Sequence, residues 1–119
     1  MAEQAYDGSC HCGAVAYSAR LDLEAPVMSC NCSHCRRKGF LLAFVQPDAF
    51  DLQKGREALS EYRFNKEQIA HLFCSTCGVQ SFAEGKGPGG QAMVAVNVRC
   101  LEGVDPDQLA IQKVDGASF

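Results

Sequence analysis

The sequence predicts a mainly β protein made of small antiparallel sheets and pinned by metal. Three observations predict it. Apolar stretches are short and bounded by Gly, Pro, Asn or Asp, which reads as strands and turns. Helix signals are poor. Eight cysteines in 119 residues stand in tight local groups, and a chain this size buries only a modest core that cross-links would help.

Taken in order, the expected strands begin with Ala14 to Ala19, then Val27 to Cys30 directly after Pro26, and Leu41 to Val45. Phe50 to Leu52 and Leu59 to Phe64 follow, then Ala70 to Phe73, Gln80 to Ala83, Met93 to Val98 and Leu109 to Val114. Gly85-Lys86-Gly87-Pro88-Gly89-Gly90 reads as a flexible turn between two of them. Pro47-Asp48-Ala49-Phe50 and Pro106-Asp107-Gln108-Leu109 each suit one helical turn, with proline at a favoured first-turn position. No repeat of domain size and no dividing linker interrupts the chain, so residues 1–119 are expected to form one zinc-binding domain.

Charge narrows the function classes. The formal charge is −3 and the pI about 5.5. Neither suits binding to nucleic acid by phosphate neutralisation, and no basic stripe with interleaved aromatics is present. No apolar run reaches the ~20 residues of a membrane span. Met1-Ala2-Glu3-Gln4 lacks a basic leader, so a cytoplasmic location is expected. In that reducing setting, close-spaced cysteines point to metal or catalysis rather than disulfides.

The cysteines fall into four groups: Cys10 and Cys12; Cys30, Cys32 and Cys35; Cys74 and Cys77; and Cys100 alone. C-x-x-C in a tight turn converges two sulfurs on one ion, and Gly78 would relax that turn. C-x-C on an extended segment puts both sulfurs on one side. Zinc takes thiolate or imidazole ligands tetrahedrally. Two two-cysteine groups complete a closed site, while the triplet supplies three ligands and leaves a place open. Closed sites are usually structural, and catalytic ones keep a position for water or substrate.

Spacing does not prove which groups share an ion. Joining Cys10 and Cys12 to Cys74 and Cys77 is the split that keeps the triplet whole. The competing reading is a second structural site, with the triplet completed by Cys100, His34, His71 or His11. A thioredoxin-like role for Cys32-Ser33-His34-Cys35 would want a βαβ context that the pattern lacks. Cys100 reads as a small buried hydrophobe. Iron of the rubredoxin kind would want two C-x-x-C pairs on one ion.

Three segments carry a family resemblance: Gly8-Ser9-Cys10-His11-Cys12-Gly13-Ala14-Val15, Cys30-Asn31-Cys32-Ser33-His34-Cys35-Arg36, and Phe73-Cys74-Ser75-Thr76-Cys77-Gly78. In this order and separation they resemble the glutathione-dependent formaldehyde-activating enzyme family, which also includes a centromere protein. The likeness runs from about Gly8 to about Val98. It implies coiled antiparallel sheets of the β-tent type. It also implies two zinc ions, a structural one on Cys10, Cys12, Cys74 and Cys77 and an active-site one on Cys30, Cys32 and Cys35. The implied activity joins formaldehyde to glutathione as co-substrate, giving S-hydroxymethylglutathione, and is classed as a carbon–sulfur lyase. The implied partners are a small thiol and an aldehyde. This chain is shorter than the formaldehyde-activating members, so fold and metal sites transfer better than substrate.

The remaining expectations concern side chains near the triplet. Seven thiolates on two zinc ions would bring the formal charge to −6, which gives nearby cations a role. Arg36 is the expected ligand-binding residue, able to hold a carboxylate; Arg37 and Lys38 read as a solvated patch. Gly39 would let the backbone turn away. His34 is a possible proton-transfer group but reads as an ordinary loop residue. Phe40, Phe44, Phe73 and Phe82 read as core. The alternative function is a zinc-stabilised binding module without chemistry.

Overall fold

A computed structural model describes residues 3–63, 69–86 and 89–115. The first two strands, β1 (Glu3–Ser9) and β2 (Ala16–Asp22), form an antiparallel hairpin, and β5 (Phe50–Lys54) adds to β2. Alternation along β2 turns Tyr17, Ala19 and Leu21 inward.

The second sheet has seven strands. They are β3 (Val27–Cys30), β4 (Leu42–Val45), β6 (Leu59–Tyr62), β7 (Ala70–Cys74), β8 (Phe82–Lys86), β9 (Ala92–Asn97) and β10 (Ile111–Val114). Their spatial order is β10-β3-β4-β9-β8-β7-β6. One hydrophobic core joins the sheets: Val15, Tyr17 and Leu21 meet Val27, Phe82, Val96 and Val98. Tyr17, Phe50 and Phe82 form an aromatic triangle with ring centroids 4.7 to 6.1 Å apart.

The mainly β architecture matches the expected class, with differences that have physical causes. The strand β1 was not expected, because Glu-Gln-Ala-Tyr-Asp-Gly-Ser is polar and mostly exposed; its pairing with β2 holds it extended. The expected Gln80–Ala83 strand sits later, since Gly85 and Lys86 continue the β8–β9 ladder opposite Met93 and Ala92. Gly87, Pro88 and Phe64 lie outside the described residues.

One pair departs from antiparallel pairing: β10 runs parallel to β3. The chain recrosses through a 3-10 turn at Pro106–Gln108, whose Asp105 side chain accepts from Asp107 N–H, and returns in the direction of β3. The Pro47–Ala49 turn also forms. A four-residue helix, α1 (Cys35–Lys38), was not expected; Gly39 ends it in the left-handed region at φ 75°. Phe40 and Phe82 are buried, but Phe44 is 47 % exposed on β4 and Phe73 is only half-buried. Both had been expected in the core. Strand alternation turns them away from it. Among the described residues, no helix is long and apolar enough to cross a membrane.

Candidate functional site

The turn after β1 and the turn after β7 face each other. Cys10 and Cys74 each donate a backbone N–H to the carbonyl five residues on, Val15 and Val79, at 3.0 Å. These matching closures fold Cys10–Cys12 and Cys74–Cys77 back on themselves. Cys12 therefore lies in a turn, not on the extended segment expected of C-x-C. Gly78, at φ 79°, donates its N–H to Cys74 O at 2.8 Å, the relaxed turn expected of it.

The four sulfurs of Cys10, Cys12, Cys74 and Cys77 lie within 4.8 Å of one another. Cys12 Sγ is 3.7 Å from Cys10 Sγ and 3.6 Å from Cys74 Sγ. A zinc–sulfur bond near 2.3 Å in a tetrahedron gives sulfur–sulfur edges of about 3.8 Å, whereas a disulfide needs about 2.05 Å. The spacing fits a shared cation. Val15 N–H donates to Cys10 Sγ and Thr76 N–H to Cys74 Sγ, each at 3.4 Å. Such donors favour thiolates. The Val79 and Cys12 N–H groups hold Cys77 down to about 6. The N–H groups of Cys77 and Thr76 lower Cys74 as well. Ala14 N–H pulls Cys12 down, but the Cys74 sulfur and burial outweigh it and push Cys12 up to about 11. The sulfurs thus compete for protons that a divalent ion would displace.

The second cluster sits at the end of β3. Cys30 closes the strand, Cys32 lies in the following loop and Cys35 opens α1. Their sulfurs lie within 4.8 Å of one another. Among the described residues, no fourth ligand atom joins them within that distance: Cys100, His34, His71 and His11 all stand outside. Cys35 N–H donates to Cys32 Sγ at 3.3 Å. Burial acts to raise the Cys32 thiol, yet the N–H groups of Cys35 and His34 outweigh it and lower it. Burial raises buried Cys35. This donor set, three soft sulfurs with backbone support, also fits zinc.

Two cavities flank α1. One, of about 430 Å³, is lined by Cys30, Cys35, Arg36, Phe40, Arg99 and Lys113 among others. The other, of about 450 Å³, is lined by His34, Arg37, Lys38, Tyr62, Phe73 and neighbours. The helix thus divides its own basic run. Arg36 faces the cleft that contains Cys30 and Cys35. Arg37 donates back to Ser33 O at 2.8 Å, and Lys38 Nζ lies 5.6 Å above the Phe73 ring. His34 packs on the far side against the rings of Phe40, Tyr62 and His71, with His71 at 4.3 Å. Burial and then Lys38 lower its pKa.

Cys100 is half-buried and its Sγ is 3.9 Å from Gln80 O. Sequence reasoning missed Arg99 and Lys113. They reach the cleft from a 3-10 turn after β9 and from β10, and no local motif marks either.

The sequence pattern of the glutathione-dependent formaldehyde-activating enzymes matches residues 5–113. A crystal structure of a Rhodobacter sphaeroides protein is 33% identical, covering 89% of this chain and 99% of that one, with a TM-score of 0.77. With two clusters of cysteines that could hold metal on a mainly β scaffold, and with the pattern matched over nearly its whole length, the chain belongs to the glutathione-dependent formaldehyde-activating enzyme family.

Proposed function

We propose that this chain is a zinc enzyme that makes and breaks a carbon–sulfur bond between glutathione, or a similar small thiol, and a small aldehyde. The observation that carries the reading is the unequal pair of clusters: four sulfurs in one, and three beside a cleft in the other. In the reaction class, the thiol sulfur bonds to the carbonyl carbon while the carbonyl π bond opens. The thiol proton ends on oxygen, giving an S-hydroxyalkyl adduct, which is S-hydroxymethyl where the aldehyde is formaldehyde. No oxidant is needed, and the reverse reaction is a lyase step.

Cys10, Cys12, Cys74 and Cys77 would hold a structural zinc, and Cys30, Cys32 and Cys35 a zinc at the active site. A zinc bound to the triplet would supply a place where a substrate thiol is kept as thiolate, the reactive form. The chain's own groups prepare that place. The Cys35 and His34 N–H groups favour the ionised Cys32 sulfur. Arg36 lines the cleft and is the first candidate to hold a ligand carboxylate. Phe40 and Leu41 form an apolar wall that limits water. Thiolate ligands of both clusters suit a reducing compartment, and we place the enzyme in the cytoplasm.

Exchange NMR of glutathione and formaldehyde tests the reading. Metal-replete protein accelerates the exchange, and Cys32→Ser does not. No acceleration at high protein concentration would overturn the proposed activity and favour a binding module.

A further inference from the structure

The cleft beside the triplet is built by two segments far from it in sequence. The strand β10 pairs in parallel with β3, setting Val114 opposite Cys30 and Lys113 opposite Ser29. Asn31 N–H continues the ladder to Val114 O at 3.1 Å, and Asn31 Nδ2 donates to Asp115 Oδ1 at 3.0 Å. From the other side, Arg99 Nε donates to Gly39 O at 2.9 Å, at the turn that ends α1. That bond fixes the guanidinium and leaves its two terminal nitrogens for other partners. Arg36, Arg99, Lys113 and Asp115 all line the cleft. Among the described residues, no ion pair engages Arg36, Arg99 or Lys113. Three cations face one carboxylate, and a zinc held by the three thiolates would add one further negative charge, so the cleft stays net positive in a chain whose formal charge is negative. A volume of about 430 Å³ suits a ligand of small-peptide size, since such pockets run from about 300 to 1,000 Å³.

We propose that Arg99 and Lys113 are specificity-determining residues of this cleft, holding carboxylate of the thiol ligand opposite Arg36. The proposal rests on the thiol reading above. Arg99 presents a fixed planar fork suited to bidentate carboxylate contact, and Lys113 a mobile point charge. Together they discriminate by charge, so an acidic thiol is retained and its neutral ester is not. A bare balancing role for these cations toward the anionic metal cluster makes a different prediction. Their loss would then lower zinc retention and leave ligand discrimination unchanged.

The test is a titration followed by backbone amide shifts, with zinc content measured in parallel. The proteins are zinc-loaded wild type, Arg99→Gln, Lys113→Gln and the double variant; Arg99→Lys serves as a conservative rescue. The probes are glutathione, glutathione diethyl ester and S-methylglutathione. Wild type binds glutathione at least about fivefold more tightly than the diester, the size expected of solvent-accessible charged contacts. The double variant loses that preference with zinc content unchanged, and Arg99→Lys regains part of it. Lys113→Gln, on an exposed strand position, shows a partial loss even if Arg99→Gln disturbs the Gly39 turn.

Equal binding of acid and ester by wild type, unchanged discrimination in the double variant, or a loss confined to zinc content would each overturn the proposal. S-Methylglutathione separates it from the thiol reading. If it binds as tightly as glutathione and still depends on Arg99 and Lys113, the carboxylate role stands and the thiol reading falls. If glutathione binds more tightly through its free thiol but without dependence on these residues, the reverse holds. Absence of binding by all three probes overturns the proposal.

Discussion

Cys30 and Val114 are partners across the parallel pair of β3 and β10, each at the last residue of its strand. Both strands therefore end at the triplet. The chain uses a segment some eighty residues downstream to wall one side of a cysteine cluster formed locally. The four-cysteine cluster instead joins two distant turns, after β1 and after β7, and so ties the two sheets together.

That difference predicts unequal consequences for loss of one sulfur. Cys74 is fully buried between the turns. Structural zinc supplies about 10–16 kcal/mol in small zinc peptides, comparable with a domain's whole stability of about 5–15 kcal/mol. Cys74→Ser is expected to abolish the cooperative thermal transition followed by circular dichroism. Cys32→Ser, on a loop at the sheet's end, is expected to keep a transition within a few degrees of wild type. Equal destabilisation would argue against the division of roles.

His71 gives stability a pH dependence of its own. Burial, then His34 and Lys38, hold its pKa down to about 4, below the usual value of about 6.5. Gln80 Nε2 lies 3.4 Å from its Nδ1, Tyr62 is its partner across β6 and β7, and all these neighbours favour or tolerate the neutral ring. Between those two values the unfolded chain binds the extra proton. The contribution is whole above pH 6.5 and is lost as pH falls towards 4, by about 3 kcal/mol in all. His71→Gln is expected to flatten that part of the denaturation-midpoint curve. An unchanged slope would show that His71 does not carry it.

Phe82 meets both Tyr17 and Phe50 where the two sheets join and is 1 % exposed. Phe82→Ala is expected to cost about 3–5 kcal/mol, read by urea denaturation. A cost below about 1 kcal/mol would mean that the core closes without this ring.

Much of this was legible in the sequence because ligand spacing is local information. Cys30, Cys32 and Cys35 converge within six residues, and Val27–Cys30 forms the strand read from its apolar run. The two-residue groups were legible as halves, while their joining rests on the contact between two turns. What could not be read is mostly long-range. The polar strand β1 exists through its pairing with β2. The parallel set of β10 follows from the path of the 3-10 turn before it. Arg99 and Lys113 carry no motif, and only the fold brings them to Arg36. Phe44 and Phe73 misled because aromatic character alone does not give the face of a strand.

The central claim is two metal sites of different kind in one chain. The native mass spectrum of metal-replete protein tests it most directly, with Cys32→Ser alongside. The expected result is two zinc ions on the wild-type chain and one on the folded variant. A single zinc on fully replete wild type, or two retained by Cys32→Ser, would contradict it.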